Sequence, residues 1–380
     1  MRIAFYAPLK SPTHGTPSGD RRVAGLLMQA LGAAGHRVEL ASTFRSYDRE
    51  GDPDRQAALR EQGLALAARL AAQWREGPPE ARPQLWFTYH LYYKAPDWLG
   101  PAVSRSLGIP YVVAEGSDAP KRAGGPWNLN HEATRAALSA ADLLLCPIRD
   151  DLEGLRAMGI DPGRLVHFPP FLDATLIAAA CERRALHRAA LSAGHGLPTP
   201  VPWIAIAAMM RSGDKAASYE ELAEALARVR DLDWRLIVAG DGEARARVER
   251  GFAAAVPGRA VFLGALAQGE VAKMYAAADL CAWPAVNEAY GMAMLEAQAA
   301  GLPTVSSATR GVPDIVVHGR TGLLSPPGDT ASFSAHLRAL LGDSALRERL
   351  GRSAAEFARG ERSLATAAEQ LGDLLARLPT

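Results

Sequence analysis

"CAWPAVNEAYGMAMLEAQAAGLPTVSS", residues 281–307, opens as an apolar run ending at Trp283-Pro284, passes two glutamates, Glu288 and Glu296, and closes on a second apolar run beyond Gly301. Its middle, from about Tyr290, is rich in Met, Leu, Ala, Glu and Gln, residues that lose little on entering a helix. The flanking runs are short and bounded by Pro or Gly, which predicts buried strands. Strand, helix, strand is the repeating unit of a parallel sheet, because parallel neighbours need a long crossover.

The same alternation extends in both directions. In the N-terminal half it runs through "RIAFYA", a helix from about Gly19 to Ala34, "RVELAS", a helix from about Pro53 to Arg75, "LWFTYH", "PYVVAE", "DLLLCP" and "RLVHFP". A second series begins at "PWIAIAAMM" and continues through "WRLIVAG", "AVFLG", "DLCAWP" and "PTVSS". Strands separated by helices predict an α/β chain of two Rossmann-like domains, each with a parallel sheet covered on both faces. The expected boundaries are residues 1–172, a Gly- and Pro-containing linker over 173–201, and a second domain over 202–360. The helical tail, 361–380, is expected to pack back on the first domain. "AADLLLCP" at 140–147 echoes "AADLCAWP" at 277–284, as if both domains reused one plan.

Composition narrows the chemistry. The chain has 380 residues, 42 basic and 41 acidic, with a formal charge of +1, so no global field recruits nucleic acid or an anionic membrane. Cys146, Cys181 and Cys281 are too few and too scattered for a disulfide framework or a zinc site. They point to core positions in a reducing, cytoplasmic compartment. No apolar run reaches the length of a spanning helix, which leaves peripheral membrane contact open.

In open parallel sheets ligands bind beyond the carboxyl ends of the strands, which is where Glu288 falls. Gly291, flanked by Tyr290 and Met292, lets a ligand approach the start of the following helix, whose free N–H groups favour an anion such as diphosphate. Glu296, two turns into that helix, would repel phosphate but could accept bonds from ribose hydroxyls. A solvated turn acid and a helix-surface acid are the plain alternatives. "IAAMMRSGDKAASYEELAEAL" supplies Arg211 and Lys215 after the first strand of the second domain, where two cations could meet phosphate or simply sit on an exposed loop.

With these motifs in order, the sequence resembles the family-4 retaining glycosyltransferases (glycosyl transferases group 1), which have the GT-B fold of two facing Rossmann-like domains. The family's glutamate pair is met by Glu288 and Glu296, and its Arg and Lys by Arg211 and Lys215, at a spacing one residue shorter than the common form. "VAGDGEARARVE" resembles the family's Gly240-Asp241-Gly242 turn, and "GVPDIVVHGRTGLLSPPGD" the stretch after the glutamates. The resemblance implies a hexosyltransferase-like enzyme moving sugar from a nucleotide-sugar donor with retention, without a metal or other cofactor. Glu296 would hold the ribose, Glu288 would contact the donor sugar, and Arg211 and Lys215 would stabilise the departing diphosphate. A UDP or GDP donor is expected, with the base unreadable, and the acceptor is a carbohydrate, a lipid-linked sugar or a small molecule. A nucleotide-sugar epimerase of the same fold and a catalytically silent nucleotide-sugar binder are the alternatives.

The first domain agrees in part. "YAPLKSPTHGTPSGDRRVAGLLMQAL" has the strand, loop and helix used near the diphosphate, with Gly15 and Gly19 as its small residues rather than an adjacent glycine pair. Glu115, Gly116 and Ser117 stand where many members carry a histidine. Glu115 could act as an acid or base or bind an acceptor hydroxyl, or it could pair with Lys121 or Arg122. "LWFTYHLYYKAPDW" clusters Tyr89, His90, Tyr92, Tyr93 and Trp98, which could bind an acceptor or complete a core. Lys94, Lys121 and Arg122 could meet a phosphorylated or acidic acceptor, or form a solvated basic loop.

Overall fold

The structure, a computed structural model, describes residues 1–15 and 18–379. The chain divides into two compact units, Met1–Pro169 with Leu364–Thr380, and Pro170–Ser363.

The first unit contains β1 (Arg2–Tyr6), α1 (Gly19–Ala33), β2 (Arg37–Ser42), α2 (Pro53–Glu76), β3 (Leu85–Leu91) and α3 (Gly100–Leu107). It continues through β4 (Tyr111–Gly116), α4 (Asn128–Ala140), β5 (Leu143–Cys146), α5 (Arg149–Ala157) and β6 (Leu165–His167). The second unit contains α6 (Thr175–Cys181), α7 (Arg184–His195), β7 (Trp203–Ala207), α8 (Asp214–Ala227), β8 (Arg235–Ala239), α9 (Arg245–Ala255) and β9 (Ala260–Gly264). Then come α10 (Gln268–Ala277), β10 (Leu280–Trp283), α11 (Met292–Ala299), β11 (Thr304–Ser307), α12 (Val312–Ile315), β12 (Gly322–Ser325), α13 (Thr330–Gly342) and α14 (Ser344–Glu356). The last helix, α15 (Leu364–Leu375), belongs to the first unit.

Each unit holds one six-stranded sheet with parallel pairing throughout, in the orders β2-β1-β3-β4-β5-β6 and β12-β11-β10-β7-β8-β9. The inner strands, such as β5, β7 and β10, are continuous apolar runs because helices cover both faces of such a sheet. Phe5 stacks on Phe87 at 5.6 Å between neighbouring β1 and β3, while Trp203, Trp234 and Phe252 fill the second core. Helix starts follow local chemistry. Asp52 caps α2 by accepting from the amides of Asp54 and Arg55 ahead of Pro53, and Ser18 caps α1 by accepting from Arg21.

The echoed octapeptides both end in buried strands, β5 and β10, but at different places. β10 is central, beside β7, whereas β5 lies one strand from an edge. The shared plan is the parallel sheet, and the echo does not mark equivalent strands.

Two boundaries differ from expectation. Residues 173–201 are no linker: they carry α6 and α7 and belong to the second unit. Arg184 and Arg188, one turn apart on α7, donate to the carbonyls of Ala276 and Ala277 (2.7 Å each) at the end of α10 and to Asp279 (2.7 and 2.9 Å). They satisfy carbonyls that a helix end leaves without partners. The expected tail helix over 361–380 is confined to Leu364–Leu375, and Phe357–Glu361 forms a π-turn in the second unit. α15 packs on α1 with Leu371 and Leu375 buried. The strand β12, within "GRTGLLSPP", adds an edge that short-range patterning did not reveal. Among the described residues no helix is long and apolar enough to cross a membrane.

Candidate active site

Renumbered from its own first strand, the second sheet runs 3-2-1-4-5-6, and its order reverses between β7 and β10. At such a reversal the connections leave in opposite directions and open a crevice beyond the strands' carboxyl ends. The register between these two strands is confined to Leu280↔Ile204 and Cys281↔Ala205. The segments that follow, Ala208–Gly213 and Pro284–Gly291, lie beyond that pairing.

The β7–α8 loop is tied to the next strand's turn. Ala208 N bonds Ala239 O (3.0 Å), Met210 N bonds Asp241 O (2.9 Å), and Ala244 N bonds Met210 O (2.9 Å). Gly240 and Gly242 make this approach possible: with φ of 145° and 152°, a Cβ on either would lie 1.9 Å from Ala208 O or 2.3 Å from Met210 O. Asp241 is turned outward, bonding its neighbour Gly242 N (2.8 Å) and Arg245 (3.0 Å), which together hold its carboxyl below the ordinary value. Arg211 is exposed on the loop, and the Ser212 amide donates to Glu243 (3.0 Å).

Lys215, the second residue of α8, donates to Glu288 from the β10–α11 turn, and its Nζ lies 5.5 Å from the Trp283 ring centroid. The pair is partly sheltered, at 33% and 18% side-chain exposure. The turn carrying Glu288 is conformationally strained, with Ala285 at φ 60° and Asn287 at φ 50°. Three bonds hold it: Glu288 N to Ala285 O (3.1 Å), Val286 N to Ser218 Oγ (3.0 Å) and Asn287 Nδ2 to Asp214 Oδ2 (3.0 Å). The last two tie the turn to α8, so the same helix positions both members of the ion pair.

Gly291, at φ 77°, precedes α11, and a Cβ there would strike Met294 Cε at 2.3 Å. The helix therefore starts at Met292, two residues later than expected, and Glu296 is its fifth residue, one turn in rather than two. Glu296 is 6% exposed, so it is not a helix-surface acid. Its charge reaches Tyr275, whose hydroxyl is pushed well above its ordinary value by burial first, then by Cys281 and Glu296. Tyr290 and Met292 pack against the core of this unit.

The first sheet reverses between β1 and β3. At its carboxyl edge stand His90, penultimate in β3, and Glu115, penultimate in β4, at facing positions between the paired Tyr89↔Ala114 and Leu91↔Gly116. Both have a left-handed backbone, φ 61° and 60°, a costly conformation for side-chain-bearing residues. His90 Nδ1 lies 3.1 Å from Asp20 Oδ1 and 3.6 Å from Glu115 Oε1. Burial lowers the basicity of His90, but Glu115, the Asp20 bond and more distant Asp151 outweigh it and raise its pKa overall. Asp20 is lowered, its burial outweighed by the bond to His90.

Glu115 thus pairs with His90 rather than with Lys121 or Arg122. Lys121 is exposed, and Arg122 packs over the Tyr93 and Trp127 rings. Tyr89 and Trp98 are core residues, whereas Tyr92 and Tyr93 stay half-buried. A Cβ on Gly15 or Gly19 would meet nothing within 4 Å, so neither position demands glycine. The part of that loop formed by Thr16 and Pro17 lies outside the described residues. Asp20 escaped the sequence reading, although its place at the start of α1 was a signal. Asn287 and Ser218 escaped because their partners are far away in sequence.

Two family profiles match: "Glycosyl transferases group 1" over residues 202–343 and "Glycosyl transferase 4-like domain" over residues 18–170. The chain belongs to the group 1, family-4-type glycosyltransferases. Among curated relatives it is similar to the sulfoquinovosyl transferase SQD2 of Arabidopsis thaliana, 38% identical over 32% of this chain and 24% of that protein. It is also similar to the D-inositol 3-phosphate glycosyltransferase of Xylanimonas cellulosilytica, 30% identical over 57% of this chain and 52% of that protein. The matched stretches thus span at most about half of these relatives' length. Of solved structures, Anabaena HepE in complex with UDP superposes with a TM-score of 0.74 at 16% identity, covering all of both chains. A sucrose-phosphate synthase from Thermosynechococcus elongatus gives 0.70 at 22%, covering 99% of this glycosyltransferase chain and 98% of its own. These likenesses establish the GT-B fold.

Proposed function

We propose that this glycosyltransferase moves a sugar from a nucleoside-diphosphate-sugar to an acceptor hydroxyl, with retention and without a metal. The observation that carries the reading is the Lys215–Glu288 pair at the β7–β10 reversal, with the buried Glu296 on the helix that follows Glu288. Lys215, with Arg211 on the loop before α8, neutralises the diphosphate as it departs, the task a metal would otherwise perform. Glu296 accepts from the ribose hydroxyls, and Glu288 orients Lys215 and lies beside the donor sugar. The anomeric carbon–oxygen bond to the β-phosphate breaks and a bond to the acceptor oxygen forms on the same face. The acceptor proton passes to the departing phosphate oxygen, so the reaction needs no protein nucleophile. The structurally similar HepE binds UDP and UDP-glucose, which supports a nucleotide-sugar donor. Three free cysteines fit a reducing, cytoplasmic setting.

The test is thermal stability with UDP, GDP and ADP in turn, for the wild type and for Glu296→Ala. A ligand at a hundred times its Kd adds about 2.7 kcal/mol. One nucleotide should raise the melting temperature, and the variant should lose that rise through an affinity drop of about 1–3 kcal/mol. No rise with any of the three, or a rise unchanged in the variant, would sink the assignment of Glu296. Transfer should also survive a chelator; strict magnesium dependence would remove the metal-free step.

A further inference from the structure

Next to the His90 cluster, the loops after β3 and β4 build a second feature that glycosyl transfer from the donor site leaves unused. Tyr93 and Trp127 meet edge to face, with centroids 5.6 Å apart. Two cations share them: Lys94 Nζ lies 5.9 Å from the Tyr93 ring and 5.2 Å from Trp127, and Arg122 Cζ lies 4.9 and 5.0 Å away. Both cations are half-buried. Like charges held on one ring pair repel, and each ring can offset only part of that cost.

The neighbouring carboxylates are engaged elsewhere. Asp20 and Glu115 face His90, and Asp118 pairs with Arg135 at 2.8 Å. Asp48 accepts from the amides of Glu50 (3.1 Å) and Gly51 (3.0 Å) and from Gln56 (3.0 Å). Among the described residues neither Lys94 nor Arg122 has a carboxylate within ion-pair distance. Arg122 Nε and Trp127 Nε1 are, in addition, buried donors without partners. Such donors are costly unless a ligand or water fills them. These unsatisfied groups and the two cations are all donors, so the matching ligand is acceptor-rich. A ligand that also neutralises two charges is a dianion, and a phosphate monoester near neutral pH carries nearly that charge.

We propose that Lys94 and Arg122, carried on the Tyr93–Trp127 ring pair, bind a phosphate ester on the acceptor. Calling this ligand the acceptor rests on the glycosyl-transfer reading; the binding of phosphate does not.

The experiment follows the indole N–H signal of Trp127, assigned through Trp127→Phe, in the full chain during titration with inorganic phosphate. Lys215→Ala serves as a parallel background in which the cation of the donor site is gone. Phosphate should move the signal saturably in the wild type and in Lys215→Ala, and Lys94→Gln with Arg122→Gln should weaken binding at least about tenfold. An unmoved signal, or equal affinity in the double variant, overturns the proposal. If the double variant does not melt cooperatively, Arg122→Gln alone is compared with Arg122→Lys, which keeps the charge. Phosphate binding to a chain that binds no nucleotide would discard the donor reading and leave this site standing. Sedimentation with phosphatidic acid vesicles, against pure phosphatidylcholine, then separates the sources. Retention that depends on Lys94 and Arg122 assigns a lipid-borne phosphate, and phosphate binding without retention assigns a soluble phosphorylated acceptor.

Discussion

Lys215 and Glu288 are bonded to each other although they follow the two strands, β7 and β10, between which the second sheet reverses its order. The pair joins residues far apart in the chain at the point where a parallel sheet offers a ligand its crevice. If Lys215 neutralises a diphosphate as proposed, Glu288 occupies its ammonium until the donor arrives.

Turnover should therefore be far more sensitive to this pair than stability. Lys215→Ala is expected to lower kcat by about 10²- to 10³-fold, the usual effect of removing one preorganised donor. The fold should lose no more than about 1 kcal/mol, because a partly exposed ion pair contributes little. Initial rates and melting curves on the same preparations check both halves. A variant with wild-type turnover would remove Lys215 from the chemistry.

Glycines of the two units should respond in opposite ways. Gly240→Ala drives a methyl group into Ala208 O and forces a non-glycine residue to φ 145°, and should cost at least about 2–3 kcal/mol. Gly19→Ala enters open space at the first position of α1 and should be neutral or stabilising by up to about 1 kcal/mol. Denaturant midpoints of the two variants decide it, and similar values would contradict the close approach of the β7 and β8 loops.

The His90 cluster makes stability depend on pH. His90 has a raised pKa in the fold, so its contribution is complete below the ordinary imidazole value, about 6.5, and is lost as pH rises through the folded value. Asp20 is lowered, so its contribution is present above the ordinary carboxylate range and is lost as pH falls through its folded value. The wild type's advantage over His90→Gln should peak in mildly acidic solution and shrink toward alkaline pH. Paired melting curves from pH 5 to 9 measure this, and an advantage that grows with pH would reverse the assignment.

The strands other than β12 were legible because they are short runs alternating with helical stretches, many of them closed by Pro or Gly. Lys215 and Glu288 were legible because they follow such runs, where the rule for parallel sheets places ligands. Burial of Glu296 was not, since "MAMLEAQAA" is apolar on all sides and a lone acid in it reads as the exposed face. The helices at 175–195 were hidden by the Gly- and Pro-rich stretch beyond them, and the Arg184 and Arg188 bonds that anchor α7 reach residues 89 to 95 positions later. The pairing of His90 with Asp20 spans 70 residues and depends on strand order, which no local pattern carries.

The return of α15 to α1 also has a bearing on synthesis. Residues 170–363 form an uninterrupted unit that can fold as soon as it leaves the ribosome, while the unit begun before it lacks α15 until residues 364–375 emerge. Until then the face of α1 that α15 covers is open to water and to other chains. The unit translated first is completed last, and chaperone engagement during translation should concentrate on that uncovered face.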